Sequence, residues 1–290
     1  MDPTPVVLIL FSAVAHAAWN YAAKNAGDKD SFMLLANLTS QITILPVFII
    51  LLKNWNLPIQ VILFIAVSAV AEAIYFVSLA EAYEEGDLSF VYPVARSSPL
   101  FVAIVASLFL GESITINGWV GIAVILLGVY LLHIKGFRSN QLIEPILKLG
   151  TRASRFAIVA ALATTIYSLT DKLGVGTIDP ILYAFWLEIA ISLVLFPVVY
   201  SRRGFKSLKT EWRKSSVSST ISGALMRGGY ILVLIAMGLA PIGYILALRQ
   251  VSVVVGAFLG VVLLGEGYGV PRFAGSVCIF CGAYVLAVLA

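Results

Sequence analysis

Five charged side chains lie deep inside apolar stretches of this chain: Glu72, Glu188, Arg96, Arg227 and Arg249. A charge near the middle of a bilayer costs roughly 2.5 to 3.5 kcal/mol on insertion scales, so each demands a partner or a water-filled cavity. Glu72 and Arg227 are each followed by a tyrosine three positions on (Tyr75, Tyr230), which sets them at equivalent places in an internal repeat of offset 155. Opposite charges at equivalent places meet if their spans approach a common axis. An ion pair is expected there, either exchanged for substrate groups or fixed as packing between the halves. Arg96 and Arg249 are a second matched set. Each either snorkels to the membrane surface or presents paired donors to a carboxylate or phosphate. Gln250, Ser97 and Ser98 would complete the wall of such a pocket. Glu188 has Ser40 at its equivalent position, offset 148. It is a candidate for a substrate ammonium or a coupling proton, with pairing to Arg227 or Arg249 as the alternative.

Two polar stripes accompany these charges. Ser12, His16, Asn20 and Lys24 recur every four residues, and Thr164, Ser168 and Lys172 repeat the pattern, with Asp171 alongside. Four-residue spacing drifts only about 40° per step on an α-helix, so each stripe keeps to one broad face. That face either lines a cavity or supplies interhelical hydrogen bonds. Trp19 and Tyr167 stand beside the stripes, as an aromatic clamp or as packing.

The elements that must carry these residues are membrane spans. The chain is 60% hydrophobic and 12% charged, which excludes an ordinary water-soluble domain. Ten stretches are apolar over a bilayer's length: about 5–25, 31–52, 58–83, 89–110, 116–134, 155–174, 180–200, 215–238, 241–263 and 270–289. Leu110-Gly111-Glu112, Gly121, Gly128 and Tyr130 return as Leu264-Gly265-Glu266, Gly275, Gly282 and Tyr284, offset 154. The chain thus divides into a first five-helix repeat (1–136), a connecting loop (137–154) and a second repeat (155–290). Five spans per repeat is an odd number, so the halves enter the membrane from opposite sides and are related by an axis in its plane. The expected fold is an all-α integral membrane protein, ten transmembrane helices in two inverted five-helix repeats with a site between them.

Glu112 and Glu266 are expected to cap the helices that follow them, and the seven-spaced glycines to let helices pack closely. Pro93 and Pro99 should loosen the span around Arg96, and Pro241 should start a helix at its first position. Cys278 and Cys281 form a C-x-x-C spacing inside a span and are expected to pack rather than react. Fourteen lysines and arginines fall in loops on one side of the membrane, against Lys53 and Lys172 on the other. The bias places loops 135–154 and 201–214 in the cytoplasm and both termini outside. The amino-terminal Met-Asp-Pro-Thr-Pro lacks a basic signal region, so the first span is expected to be retained.

The run His16-Ala-Ala-Trp-Asn20-Tyr-Ala-Ala-Lys24, the twin Leu-Gly-Glu steps and the Gly-x6-Gly-x-Tyr endings resemble the EamA family of the drug/metabolite transporter superfamily, across essentially the whole chain. The resemblance implies ten helices around a central cavity and export of amino acids or other small metabolites. Family members are often drawn with both termini cytoplasmic, in contrast to the charge bias here. Two histidines on different spans and no HExxH, GxSxG or P-loop exclude the common hydrolase chemistries. No cofactor, metal or nucleic-acid partner is expected. The reading is a secondary transporter of the cell membrane for small polar metabolites, best an amino acid or related zwitterion. Coupling is either by protons through Glu72, Glu188 or His16, by exchange, or by downhill flow, between which the sequence does not discriminate. The alternative is a flippase for a lipid-linked polar headgroup. The expected substrate-binding set is His16, Trp19, Asn20, Glu72, Tyr75, Arg96, Tyr167, Ser168, Glu188, Arg227, Tyr230, Arg249 and Gln250.

Overall fold

The structure is a computed structural model that describes residues 2–51, 56–85, 94–134, 150–264 and 269–290, with Gly136, Phe137, Leu142 and Leu147. Lys53, Pro93, Gly265 and Glu266, and the side chains of Lys24 and Leu264, lie outside the described residues. The helices are α1 (Pro3–Lys24), α2 (Lys29–Leu51), α3 (Ile59–Glu85), α4 (Ser98–Phe109), α5 (Ile116–His133), α6 (Arg152–Val175), α7 (Pro180–Leu239), α8 (Ile242–Leu248), α9 (Val251–Leu264) and α10 (Val270–Tyr284). The last continues into a π-helical turn at Val285–Leu289.

Short polar caps start these helices at the ends of apolar runs. Asp2 accepts from the Thr4 amide, Thr115 from Gly118, Thr151 from Ser154 and Asp179 from Ile181. Each satisfies an amide that helix geometry leaves open. Among the described residues, eight helices have the length and composition to cross a membrane, and Ser98–Phe109 is a shorter apolar helix. Their outer faces are apolar: Phe11, Ile42, Ile50, Leu63, Leu108, Leu193 and Phe280 are all exposed. In water such a surface would aggregate; in lipid it is the solvated side.

α7 departs from the expected pattern, in which residues 201–214 form a plain connection between two spans. It runs 60 residues, broken by non-helical backbone at Gly204 (φ 72°) and Ser215 (φ −133°). A left-handed φ suits glycine, so the chain can turn at Gly204. The chain folds back so that limb 216–239 lies against limb 180–203, and the Arg227 guanidinium donates to the Ala184 carbonyl between them. Between the two breaks, 205–214 stays helical as a crossbar. It is held by Leu208, which is buried, and by Glu211, which accepts from the Asp28 amide.

Packing is pairwise: α2 on α7, α3 on α6, α5 on α10, α4 on α8, with α1 against α7 and α9. The seam of α5 and α10 is made by the spaced glycines. A Cβ on Gly128 would come within 2.7 Å of the Gly275 carbonyl oxygen, and one on Gly282 within 2.8 Å of that of Gly121. Only hydrogen at these positions lets the two backbones touch.

The Leu-Gly-Glu step corrects one expectation. Gly111 takes a left-handed φ of 67°, and the turn aims Glu112 away from the helix that follows it. Thr115 caps α5 instead. The Glu112 carboxylate accepts from the Ile242 amide at the start of α8 (2.9 Å) and pairs with Lys172 at 3.2 Å. Lys172 in turn donates to the Met237 and Ala240 carbonyls that end α7. One ion pair thus closes two helix ends. Pro241 stands at the N-cap of α8, one place before the expected first position.

Candidate functional site

Both matched arginines sit where a span is interrupted. Arg96 lies in the turn just before α4, which begins at Ser98 with Pro99 in its first turn rather than inside a helix. Arg249 and Gln250 form the turn between α8 and α9. The Gln250 amide bonds the Ala247 carbonyl and Val253 bonds Gln250, so the backbone tightens without losing its partners. Spans broken at corresponding positions present side chains inward at mid-depth.

These breaks face the polar stripe of α1. The His16 ring nitrogen Nε2 lies 3.3 Å from an Arg96 guanidinium nitrogen, and Trp19 stands edge-on to His16. Asn20 turns back to donate to the His16 carbonyl. His16 is within electrostatic reach of Arg249 as well. Across from them, Arg249 lies over the face of Tyr230, 5.7 Å from its centre, a cation–π geometry. Tyr75 and Tyr167 pair edge-to-face at 6.1 Å. Trp19 and Tyr167 therefore each have their own aromatic partner.

Glu72 is half-buried and faces the same interior. It is within electrostatic reach of Asp171, Arg227 and Arg249. Among the described residues no cation lies within ion-pair distance of Glu72, and no carboxylate within that distance of Arg249. Opposite charges are thus held near each other but apart. Two expected site residues next to them end in open valences: Ser168 Oγ and Gln250 Oε1 are buried without a hydrogen-bond partner among the described residues. Such groups are rare in a packed interior.

The Glu72–Arg227 ion pair expected from the repeat does not form; Arg227 pairs with Glu188. The reason is local. Both residues sit on the two limbs of α7, whereas Glu72 belongs to α3. Glu188 is 4% and Arg227 2% exposed. The carboxylate also accepts from Asn37 Nδ2 (2.6 Å) and Ser40 Oγ (2.7 Å). Around them Gln41, Ser192 and Asn37 bond one another. With its oxygens engaged, Glu188 is a structural charge in this arrangement, and not the vacant carboxylate that a ligand ammonium would need. The same holds for Asp171, which accepts from Ser68 (2.6 Å), Tyr183 (2.8 Å) and Tyr230.

Asn37, Gln41, Ser68 and Tyr183 are absent from the expected set. Their signal was present for the α2 residues, since Asn37, Ser40 and Gln41 form a polar face on an otherwise apolar helix. Nothing in the sequence marks Tyr183 or Ser68 as partners of Asp171, which depends on how α3, α6 and α7 meet. A cavity of about 440 Å³ opens at the far end of α6, lined by Leu110, Glu112, Lys172, Leu173, Gly176 and Thr177. It adjoins the Lys172–Glu112 pair and lies apart from the arginines.

Known proteins supply the remaining evidence. The family model described as EamA-like transporter family matches residues 3–134 and 152–288. An uncharacterized protein of Methanocaldococcus jannaschii is 30% identical over 136 residues, 45% of this chain and 97% of its own length. An uncharacterized transporter of a Sinorhizobium species, from a cobO 3′ region, is 34% identical over 82 residues, 28% of this chain; the chain spans 58% of that relative. A solved crystal structure at 16% identity superposes with a TM-score of 0.73, over 98% of this chain and 99% of its own, which shows a shared fold. With the family model matched across nearly all of both halves and apolar helices suited to lipid, the chain belongs to the EamA-like transporter family of the drug/metabolite transporter superfamily, a multi-pass membrane transporter.

Proposed function

We propose that the protein is a secondary transporter of amino acids or closely related zwitterions, held between Glu72 and Arg249 and moved by alternating access between inverted repeats. The observation that carries the reading is the separated pair: a half-buried carboxylate and a guanidinium within electrostatic reach, neither in an ion pair with the described residues. A zwitterion fits such a gap, its ammonium on Glu72 and its carboxylate taken by the forked donors of Arg249. Arg96 and His16 border the same space, and the open valences of Ser168 and Gln250 offer polar contacts to the remainder of the ligand.

Symmetry supports the two-repeat frame. Ser40 and Glu188, equivalent at offset 148, touch each other. Gly121 meets Gly282 and Gly128 meets Gly275, the crossing expected of equivalent helices about a two-fold axis. The archaeal relative corresponds to only about half of this chain, and the family model matches in two stretches. With α7 counted as two limbs and α8–α9 as one interrupted span, the helices supply five spans to each half. Residues 1–136 and 155–290 are then the repeats, with the basic loops cytoplasmic, both termini outside and net movement outward.

The test is counterflow of radiolabelled solutes in proteoliposomes, with and without a pH gradient. The panel holds amino acids, their deaminated acids, decarboxylated amines and sugar phosphates. Saturable counterflow of amino acids, lost for either half-molecule, supports the reading. Movement of sugar phosphates alone, or of no soluble solute, contradicts it, and the second result favours a lipid-linked headgroup.

A further inference from the structure

The crossbar 205–214 is a helix with two unlike sides. Its inner side is Ser207, Leu208 and Glu211, which meet the α1–α2 turn: the Ser207 hydroxyl donates to Asp28 and Glu211 accepts from the Asp28 amide. Its outer side is exposed and carries Lys206, Lys209 and Arg213, while Lys214 reaches back toward Gly27 and Glu211 at the α1–α2 turn. Phe205 (66% exposed) and Trp212 (40% exposed) are seven residues apart, so they share one flank, next to Leu208 on the helical wheel. Around the axis the order is therefore protein contact, large apolar side chains, then cations.

Location gives this order a meaning. The limbs on either side of the crossbar each contain 24 residues, long enough at 1.5 Å per residue to cross a hydrocarbon core about 30 Å thick. They leave the bilayer at the same face, so a helix joining them lies along the membrane surface. There an aromatic flank enters the boundary between headgroups and acyl chains, and cations beside it meet headgroup phosphates. The adjoining Arg202 and Arg203 are occupied by protein carboxylates, Glu81 and Asp30. The only carboxylate on the crossbar, Glu211, points inward and is engaged by Asp28 and by Ser215. The outward charge is uniformly positive.

We propose that residues 205–214 form an interfacial helix that binds anionic phospholipid headgroups through Lys206, Lys209 and Arg213, anchored by Phe205 and Trp212. Each cation near an anionic surface adds a favourable increment that salt screens. Through Asp28, the bound helix also fixes the turn at the end of α1, the helix that carries His16 and Trp19.

The full chain is reconstituted in nanodiscs of phosphatidylcholine, or of phosphatidylcholine with phosphatidylglycerol, whose acyl chains are brominated in one lipid at a time. Fluorescence quenching assigned to Trp212, by difference from Trp212→Phe, reports which lipid lies against the crossbar. Enrichment of phosphatidylglycerol there is expected, falling with added salt. It should drop by about tenfold in the triple variant K206Q/K209Q/R213Q. Equal quenching by both lipids at low salt overturns the proposal, and so does a preference that the triple variant keeps. Should that variant fail to fold, the wild-type salt titration decides alone: a preference unchanged between low and high salt overturns electrostatic headgroup binding.

Discussion

Two sets of buried charge occupy the middle of this bundle, and they are built in opposite ways. On the α2–α7 side, Glu188 and Arg227 are in contact, almost wholly shielded, and ringed by Asn37, Ser40, Gln41 and Ser192. In the other set, Glu72 of α3 and Arg249 of the α8–α9 turn are half-buried, and Arg96 meets His16 of α1. In the first set the Glu188 oxygens are taken by Arg227, Asn37 and Ser40, and Arg227 Nε is left buried without a hydrogen-bond partner among the described residues. In the second, Glu72 and Arg249 make no ion pair with the described residues. On the proposed reading the difference separates charges that fix the packing of the bundle from charges that a ligand exchanges, although both kinds are equally costly to insert in lipid and look alike in the sequence.

Breaking the closed set should cost the most. Arg227→Met strands the Glu188 carboxylate in the interior and should lower stability by about 3–5 kcal/mol, read as the thermal unfolding midpoint in detergent. The double variant Glu188→Leu with Arg227→Met should recover most of that loss. A single variant as stable as the parent would dissolve the contrast. Next comes the glycine seam that belongs to the same rigid frame. Gly275→Val drives a side chain to within 2.6 Å of the Gly128 carbonyl and should cost about 1–3 kcal/mol by overpacking, in the same assay.

The open set should behave in reverse. Arg249→Ala and Glu72→Gln should each change stability by less than about 1 kcal/mol while abolishing amino acid counterflow. Glu72→Gln should spare acids that lack the amine, which sharpens the contrast by assigning each end of the ligand. The smallest effect lies outside the membrane, at the α1–α2 turn. Burial pushes the Asp28 carboxyl up, but hydrogen bonds from Ser207 and Ser31 and the Arg203 guanidinium outweigh it and hold it below its ordinary value. The unfolded chain therefore binds the proton more readily, so stability from this group is present above the ordinary aspartate value and lost as pH falls through the lowered one. The protection of amides across 205–214, relative to their intrinsic exchange, should fall on acidification in the parent, and be lowered and flat with pH in Asp28→Asn.

Much of the architecture was legible because it follows from hydrophobic period and spacing. Most of the expected spans fall within a few residues of a described helix, although 89–110 corresponds to a helix that begins only at Ser98 and 180–200 with 215–238 share one interrupted helix. Gly121, Gly128, Gly275 and Gly282 announced a close seam. The interruption at Arg96 was expected from its prolines. That at Arg249 was not, because Leu248, Arg249 and Gln250 contain no helix breaker. Pairing was the least legible feature. Offset 155 paired Glu72 with Arg227 in sequence, yet a matched place in a repeat does not imply contact; the fold of α7 on itself gave Arg227 a nearer carboxylate. Glu112 was misassigned for the same kind of reason. The left-handed Gly111 turns its side chain to α8 and Lys172, partners more than 50 residues away in sequence.

The most direct measurement compares counterflow of labelled amino acids by two variants in matched proteoliposomes: Arg249→Ala, and the double Glu188→Leu with Arg227→Met. The account predicts a folded Arg249→Ala protein that moves no amino acid, and a double variant that still moves it. Transport retained without Arg249 but lost without the Glu188–Arg227 pair would contradict it, and would place the exchangeable charges on the α2–α7 side.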